Sequence, residues 1–285
     1  MAHAETLRSI VNTWECDENA HMNVQFYYAH FDTAARHFAT LAGLDEDMTG
    51  PRWVRHVRYH SELRVAELIL VRSAIALDGP HPLTLVHELI EPVSGRLAAT
   101  AIDGYARTLD VADHPFATPL PDSAQPRSFE ARAITETPDS EALLSAGAAI
   151  TYRGAIHPRH CDRDGAALDQ TYISAFTDGA PHAWEVGGLA ARWLAENGLG
   201  RVAVEMKLSL ATGLRAGDLV HMVTKYTGVA RKTFTFRHHL FESRTGRLAA
   251  VGDATGVVMD LATRKAIELP ERIQDHIRGM ARRGG

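Results

Sequence analysis

The chain has 285 residues, 45% hydrophobic and 23% charged, with a formal net charge of −5, which suits a soluble globular protein of one large domain or two of ordinary size. It holds no basic run of five residues and no apolar run of eighteen, so neither nucleic acid nor a membrane-spanning helix is expected. The opening "MAHAETLRSIV" lacks a basic-then-apolar leader pattern, so a cytoplasmic location is expected, and two cysteines make no disulfide framework.

In chain order, Leu7, Ser9 and Val11 alternate as a short strand. A polar turn over Asp17–Asn23 follows. Tyr27, Phe31, Ala34, Phe38 and Leu41 then recur at spacings of three and four, the stripe of a helix with one buried face. Gly43 stands where that helix should end. "RWVRHVRYHSEL", "ELILVRSAIAL", "LTLVHELIE" and "RLAATAIDGYARTL" read as strands from their β-branched and aromatic content. Residues 114–140 are rich in Pro, Ser and Thr and read as a connector. The second half gives a short strand, the turn "HCDRDGAALDQTYI", a helix over "TYISAFTDGAPHAWEVGGLAARWLAENG", and four more strands. Pro181 and Gly187–Gly188 inside that helix predict a kink or break near residue 180.

The two halves repeat. "GRLAA" occurs at 95–99 and at 246–250, and "CD" occurs at 16–17 and at 161–162. "ELRVAEL" (62–68) aligns with "GLRAGDL" (213–219), and "HELIEPVSGRLAA" (87–99) aligns with "HHLFESRTGRLAA" (238–250). The offset drifts only from 145 to 151, which marks a tandem duplication. The expected domains are 1–125 and 140–285, with a linker over 126–139. Each is α+β, with a long helix wrapped by an antiparallel sheet that buries its apolar stripe.

The first turn, "WECDENAHMNVQFYYAHFD", gathers an acid, an imidazole and an amide within seven residues just before a helix. A strand ending in D-x-N-G-H-x-N, then an aromatic-rich helix, then four antiparallel strands, resembles the hotdog-fold acyl-CoA thioesterases of the 4-hydroxybenzoyl-CoA thioesterase type. Asp17, Asn19, His21 and Asn23 match that motif, and Ala20 stands in place of its glycine. The resemblance spans nearly the whole chain and implies a fused double hotdog, with a homodimer of such chains possible. It implies hydrolysis of an acyl-CoA thioester without a cofactor beyond the CoA of the substrate. Asp17 would be nucleophile or general base, and the amides at the helix start, near Val24–Phe26, would hold the thioester oxygen. A helix N-terminus carries unpaired N–H groups and the positive end of the dipole, which suits an oxyanion.

Other readings of the same residues stay open. Asn23 is well placed as a helix cap. An Asp at a strand-to-turn junction often binds local amides, and His21 could be a turn residue bonded to backbone. The cysteines read as small strand residues, and the scattered histidines do not suggest a metal site. In the second half Asp162 repeats Asp17, Asp169 is the expected counterpart of Asn23 as a cap, and Ala167 is expected where His21 stood, after one inserted residue. That half is therefore expected to be degenerate. An Asp/His pair also suits hydration of an enoyl-CoA, as in hotdog hydratases, and a binding module without turnover is the third reading.

Overall fold

The computed structural model describes residues 3–283. The chain divides into two compact units, Met1–Ala133 and Ile134–Gly285.

In the first unit, strand β1 (Ala4–Ile10) leads through a 3-10 turn (Thr13–Glu15) to helix α1 (Val24–Leu41) and a short helix α2 (Glu46–Thr49). Strands β2 (Arg52–Tyr59), β3 (Leu68–Ala76), β4 (Leu83–Glu91) and β5 (Arg96–Tyr105) follow, then a two-residue strand β6 (Ala117–Thr118). The antiparallel sheet has the order β1-β3-β4-β5-β2, and β6 lies parallel to β3.

The second unit opens with α3 (Ser140–Ser145) and repeats the plan: β7 (Ala149–Ala155), α4 (Asp169–Val186), the short α5 (Ala191–Glu196), then β8 (Leu199–Leu210), β9 (Leu219–Val229), β10 (Thr233–Glu242) and β11 (Leu248–Asp260). β12 (Lys265–Ala266) pairs with β11, and α6 (Glu271–Arg283) lies against β9. Its sheet order, β7-β9-β10-β11-β8, is that of the first unit element for element. Each unit is thus a long helix on an antiparallel sheet, as the repeat predicts, and the pair has the tandem hotdog architecture that the resemblance implies. Among the described residues no helix is long and apolar enough to cross a membrane.

The duplication extends to the core. Thr6 and Ser73 hydroxyls lie 2.7 Å apart, and Ser73 meets His87 Nδ1 at 2.7 Å. In the second unit Thr151, Thr224 and His238 form the same chain at 2.6 and 2.6 Å. Phe31 packs near His87, and Phe176 stacks on His238. Burial lowers both imidazoles, that of His238 to about 3, so both belong to the core as neutral rings. The units differ one residue away. Arg55 and Asp103 pair across β2 and β5, and the same register positions on β8 and β11 hold Met206 and Ala254.

Three sequence expectations change. Leu41 is 55% exposed rather than part of the buried stripe. α1 ends in a Schellman turn: Gly43 takes φ +65°, its N–H reaches Thr40 O, and Leu44 N–H returns to Ala39 O. That turn drives Leu44 into the core in place of Leu41. The second unit does the same with Gly188 (φ +78°) and buried Leu189. Gly187–Gly188 therefore close α4 and do not interrupt it, and α4 runs unbroken through Pro181. Finally, the Pro-rich run 114–140 is not all connector. Phe116 packs on the Phe38 cluster, and Leu120 and Ala124 bury against Ala74, Val86 and Ile102.

Candidate functional site

The polar turn is built almost wholly from backbone bonds. Asn12 starts the 3-10 turn, and Glu15 Oε2 accepts its N–H at 2.7 Å. Asp17 N–H donates to His21 O at 2.9 Å, and Ala20 N–H donates to Asp17 O at 3.0 Å. Asp17 Oδ1 accepts from the amides of Asn19 (2.8 Å) and His21 (3.3 Å). No described hydrogen bond uses its second oxygen, Oδ2. Asn23 N–H donates to Glu15 O, and Met22 N–H donates to Leu63 O, both at 2.8 Å. These bonds fix the turn to the start of α1 and to the segment after β2.

At the helix start Asn23 is the cap, its Oδ1 accepting from Gln25 N–H at 3.1 Å. Phe26 N–H is taken by Asn23 O at 3.0 Å. Of the three amides expected to meet an oxyanion, two are thus already satisfied. Val24 N–H is the one without a partner among the described residues.

Two imidazole–carboxylate pairs flank this corner. His21 is buried, with Nε2 3.3 Å from Glu62 Oε2. His30, one face along α1, has Nε2 3.8 Å from Glu15 Oε1. Burial lowers the His30 pKa, and Glu15 works against that. Glu15, His30 and Glu62 escape a reading of the sequence. Glu15 is buried beneath the turn, and Glu62 meets His21 only because the segment after β2 folds back over it. Burial pushes the thiols of Cys16 and Cys161 up, with the adjacent Asp17 and Asp162 adding to it, so neither is prepared as a nucleophile.

The second unit has the same turn. Asp162 N–H donates to Ala166 O, and Asp162 Oδ1 accepts from Asp164 and Ala166 amides, both at 2.9 Å. Bridges pair Cys16 with Met22 and Cys161 with Ala167, and His21 with Arg64 as Ala166 with Arg215. The offset is therefore 145 across the turn itself, from Cys16/Cys161 to Met22/Ala167, and no residue is inserted there. Ala166, not Ala167, replaces His21. Leu168, not Asp169, occupies the cap position and makes no side-chain cap bond. Asp169 is the first residue of α4, buried there, and corresponds to Val24. At the positions of Glu15, His21, Asn23, His30 and Glu62 the second unit carries His160, Ala166, Leu168, Ala175 and Gly213. Only the aspartate persists, and the turn it holds explains that persistence.

Ala20 occupies the left-handed region at φ +60°, where the second unit has Gly165 at φ +80°. An L-residue there costs about 1–2 kcal/mol, partly offset because glycine loses more entropy on folding. Ala20→Gly is expected to stabilise the protein by about 0.5–1 kcal/mol, read as a higher denaturant midpoint with unchanged slope. A lower midpoint would mean that the methyl group packs favourably enough to outweigh the strain.

The profile of the Thioesterase-like superfamily matches residues 11–106 and 156–277. No curated protein matches the sequence. Among solved structures the chain is similar to a putative oleoyl thioesterase from Lactobacillus plantarum, at 12% identity and TM-score 0.61, over 94% of this chain and 97% of that one. It is also similar to an acyl-ACP thioesterase from Bacteroides thetaiotaomicron, at 10% identity and TM-score 0.61, over 90% and 98%. A 12:0-ACP thioesterase from Umbellularia californica matches at 11% identity and TM-score 0.61, over 90% and 94%. At these identities the likeness is one of fold.

Proposed function

The chain belongs to the thioesterase-like superfamily, and from that premise we propose that it hydrolyses an acyl thioester, carried on CoA or on a carrier protein, at the Asp17 turn of the first unit. The observation that carries this reading is the asymmetry of two otherwise matching turns. Five polar side chains surround the first, and their counterparts in the second are all different and mostly apolar.

In the proposed reaction Asp17 Oδ1 stays bound to the Asn19 and His21 amides while Oδ2 takes a proton from the attacking water. Val24 N–H, at the positive end of α1, receives the oxyanion of the tetrahedral intermediate. Asn23 holds that first helical turn by its cap bond. As the intermediate collapses, the C–S bond breaks and the thiolate takes a proton from His21, whose imidazole is oriented by Glu62; the proton that Asp17 gained from water passes to His21 and restores both groups. The products are a free acid and a free thiol.

The test is release of free thiol from a panel of acyl-CoAs and acyl-loaded carrier proteins, running from short polar to aryl and medium chains. Crotonyl-CoA belongs in the panel. Loss of its enoyl absorbance without thiol release would replace hydrolysis by hydration, and binding without either change would leave a non-catalytic module.

A further inference from the structure

The two turns share a backbone but use their arginines differently. Arg64 is bridged to His21, and Arg215 is bridged to Ala166 in the same way. Cross-strand partners present their side chains on one face, so Arg64 stands on the His21 side of its segment. In the second unit Arg215 is consumed by the fold, its Nη2 donating to Asp164 O at 2.6 Å. The first unit has no such bond. The Arg64 side chain is exposed and makes no ion pair or hydrogen bond among the described residues. The nearest acid in sequence, Glu67, accepts the Arg64 backbone N–H and pairs with Arg96 at 2.8 Å. Val65, the next residue in the chain, is exposed, and so is Trp14 on the 3-10 turn, at 73%. The second unit has Ala216 and Arg159 at those positions. Among the described residues the first turn thus combines an uncommitted arginine with exposed Val65 and Trp14, where the second has a committed arginine, Ala216 and Arg159. That combination fits a ligand whose anionic group sits on an apolar stem.

We propose that Arg64 binds the phosphate of the phosphopantetheine arm that delivers the acyl thioester, with Val65 and Trp14 against the dimethyl stem of that arm. The inference rests on the thioesterase reading and adds the chemistry of the carrier to it. A guanidinium suits a phosphate by forked hydrogen bonding, and CoA and a carrier protein's prosthetic group both present that phosphate.

Binding tests this independently of turnover. Calorimetric titration compares pantetheine 4′-phosphate with pantetheine, for wild type, Arg64→Ala and Arg64→Gln, with Arg64→Lys as the conservative variant. Wild type is expected to prefer the phosphorylated ligand about tenfold. That preference should collapse toward unity in the Ala and Gln variants and return in part with Lys. Arg215→Ala should leave the preference as in wild type. Kinetics then identify the source: the KM for acyl-CoA, or for the acyl-loaded carrier protein, rises about tenfold in Arg64→Ala, and a rise for one alone names it. No preference in wild type, an equal loss for both ligands in the variants, or an unmoved KM for both sources overturns the proposal. A preference that depends on Arg64 in a protein that releases no thiol would instead overturn the thioesterase reading and leave the phosphate site standing.

Discussion

Asp17→Asn is expected to lower the rate of thioester hydrolysis at least ~10²-fold while leaving the fold intact. The substitution separates the two jobs of this carboxylate. An Asn side chain keeps Oδ1 and so keeps both bonds to the amides of Asn19 and His21. It replaces Oδ2, the atom assigned to the proton of water, with an amide nitrogen that cannot accept one. Asp162→Asn makes the same change in a turn with the same two bonds but without the two imidazole–carboxylate pairs and the cap, and its effect on rate should stay within about twofold. Thiol release and thermal unfolding of both variants check this together. Equal rate losses at both positions, or a full rate in Asp17→Asn, would remove Asp17 from the chemistry. Full activity would leave the aspartate as a turn residue and shift attention to His21 and Glu62.

The largest loss of stability is expected at Asp103→Ala. Arg55 and Asp103 are both fully buried, with Nε to Oδ1 at 2.7 Å and Nη2 to Oδ2 at 2.5 Å. His87 Nε2 lies 3.4 Å from Asp103, and Arg52 lies 3.9 Å from it. Burial alone would raise the Asp103 carboxyl. The charges of Arg55 and Arg52 and the two hydrogen bonds from Arg55, with the His87 imidazole close by, outweigh it and hold the group far below the usual carboxylate range. Removing the acid takes the nearest counter-charge from a buried guanidinium, whose other carboxylate, Asp32, lies 3.9 Å away, at a cost of about 3–5 kcal/mol. The second unit shows how such a site can dispense with charge, since Met206 and Ala254 stand at the matching register positions. Arg55→Met combined with Asp103→Ala should therefore recover most of the loss. The pH dependence follows from the lowered pKa. The contribution of Asp103 is complete above the unfolded-state pKa and declines as pH falls below about 4 toward the folded value. The gap between wild type and Asp103→Ala should then narrow on acidification. Urea unfolding at neutral pH and near pH 3 measures both effects. A single variant as stable as wild type, or a gap that widens in acid, would contradict this account of the pair.

The sequence by itself determined the duplication, the α+β class and the order of elements, because those are written in local patterns. A helical stripe from Tyr27 to Phe38, alternating strands and Gly95 and Gly246 in left-handed turns each report their own neighbourhood. It also placed the polar turn in each half and singled out Asp17, His21 and Asn23. Tertiary structure decided what those residues touch. Whether the second turn holds an inserted residue is left open by a letter-by-letter alignment, yet paired bridges set one offset across the turn and move the cap from Asp169 to Leu168. That Gln25 and Phe26 amides are spent and Val24 is not follows from the geometry of one cap. Glu62 meets His21, and Glu15 meets His30, across segments with no shared periodicity. Arg64 and Arg215 are the same letter at the same repeat position, and only the fold shows one committed to a carbonyl and the other turned to solvent. Local sequence fixes which elements form because their propensities and apolar faces are local. Which polar groups are left over depends on every neighbour that packing brings to them.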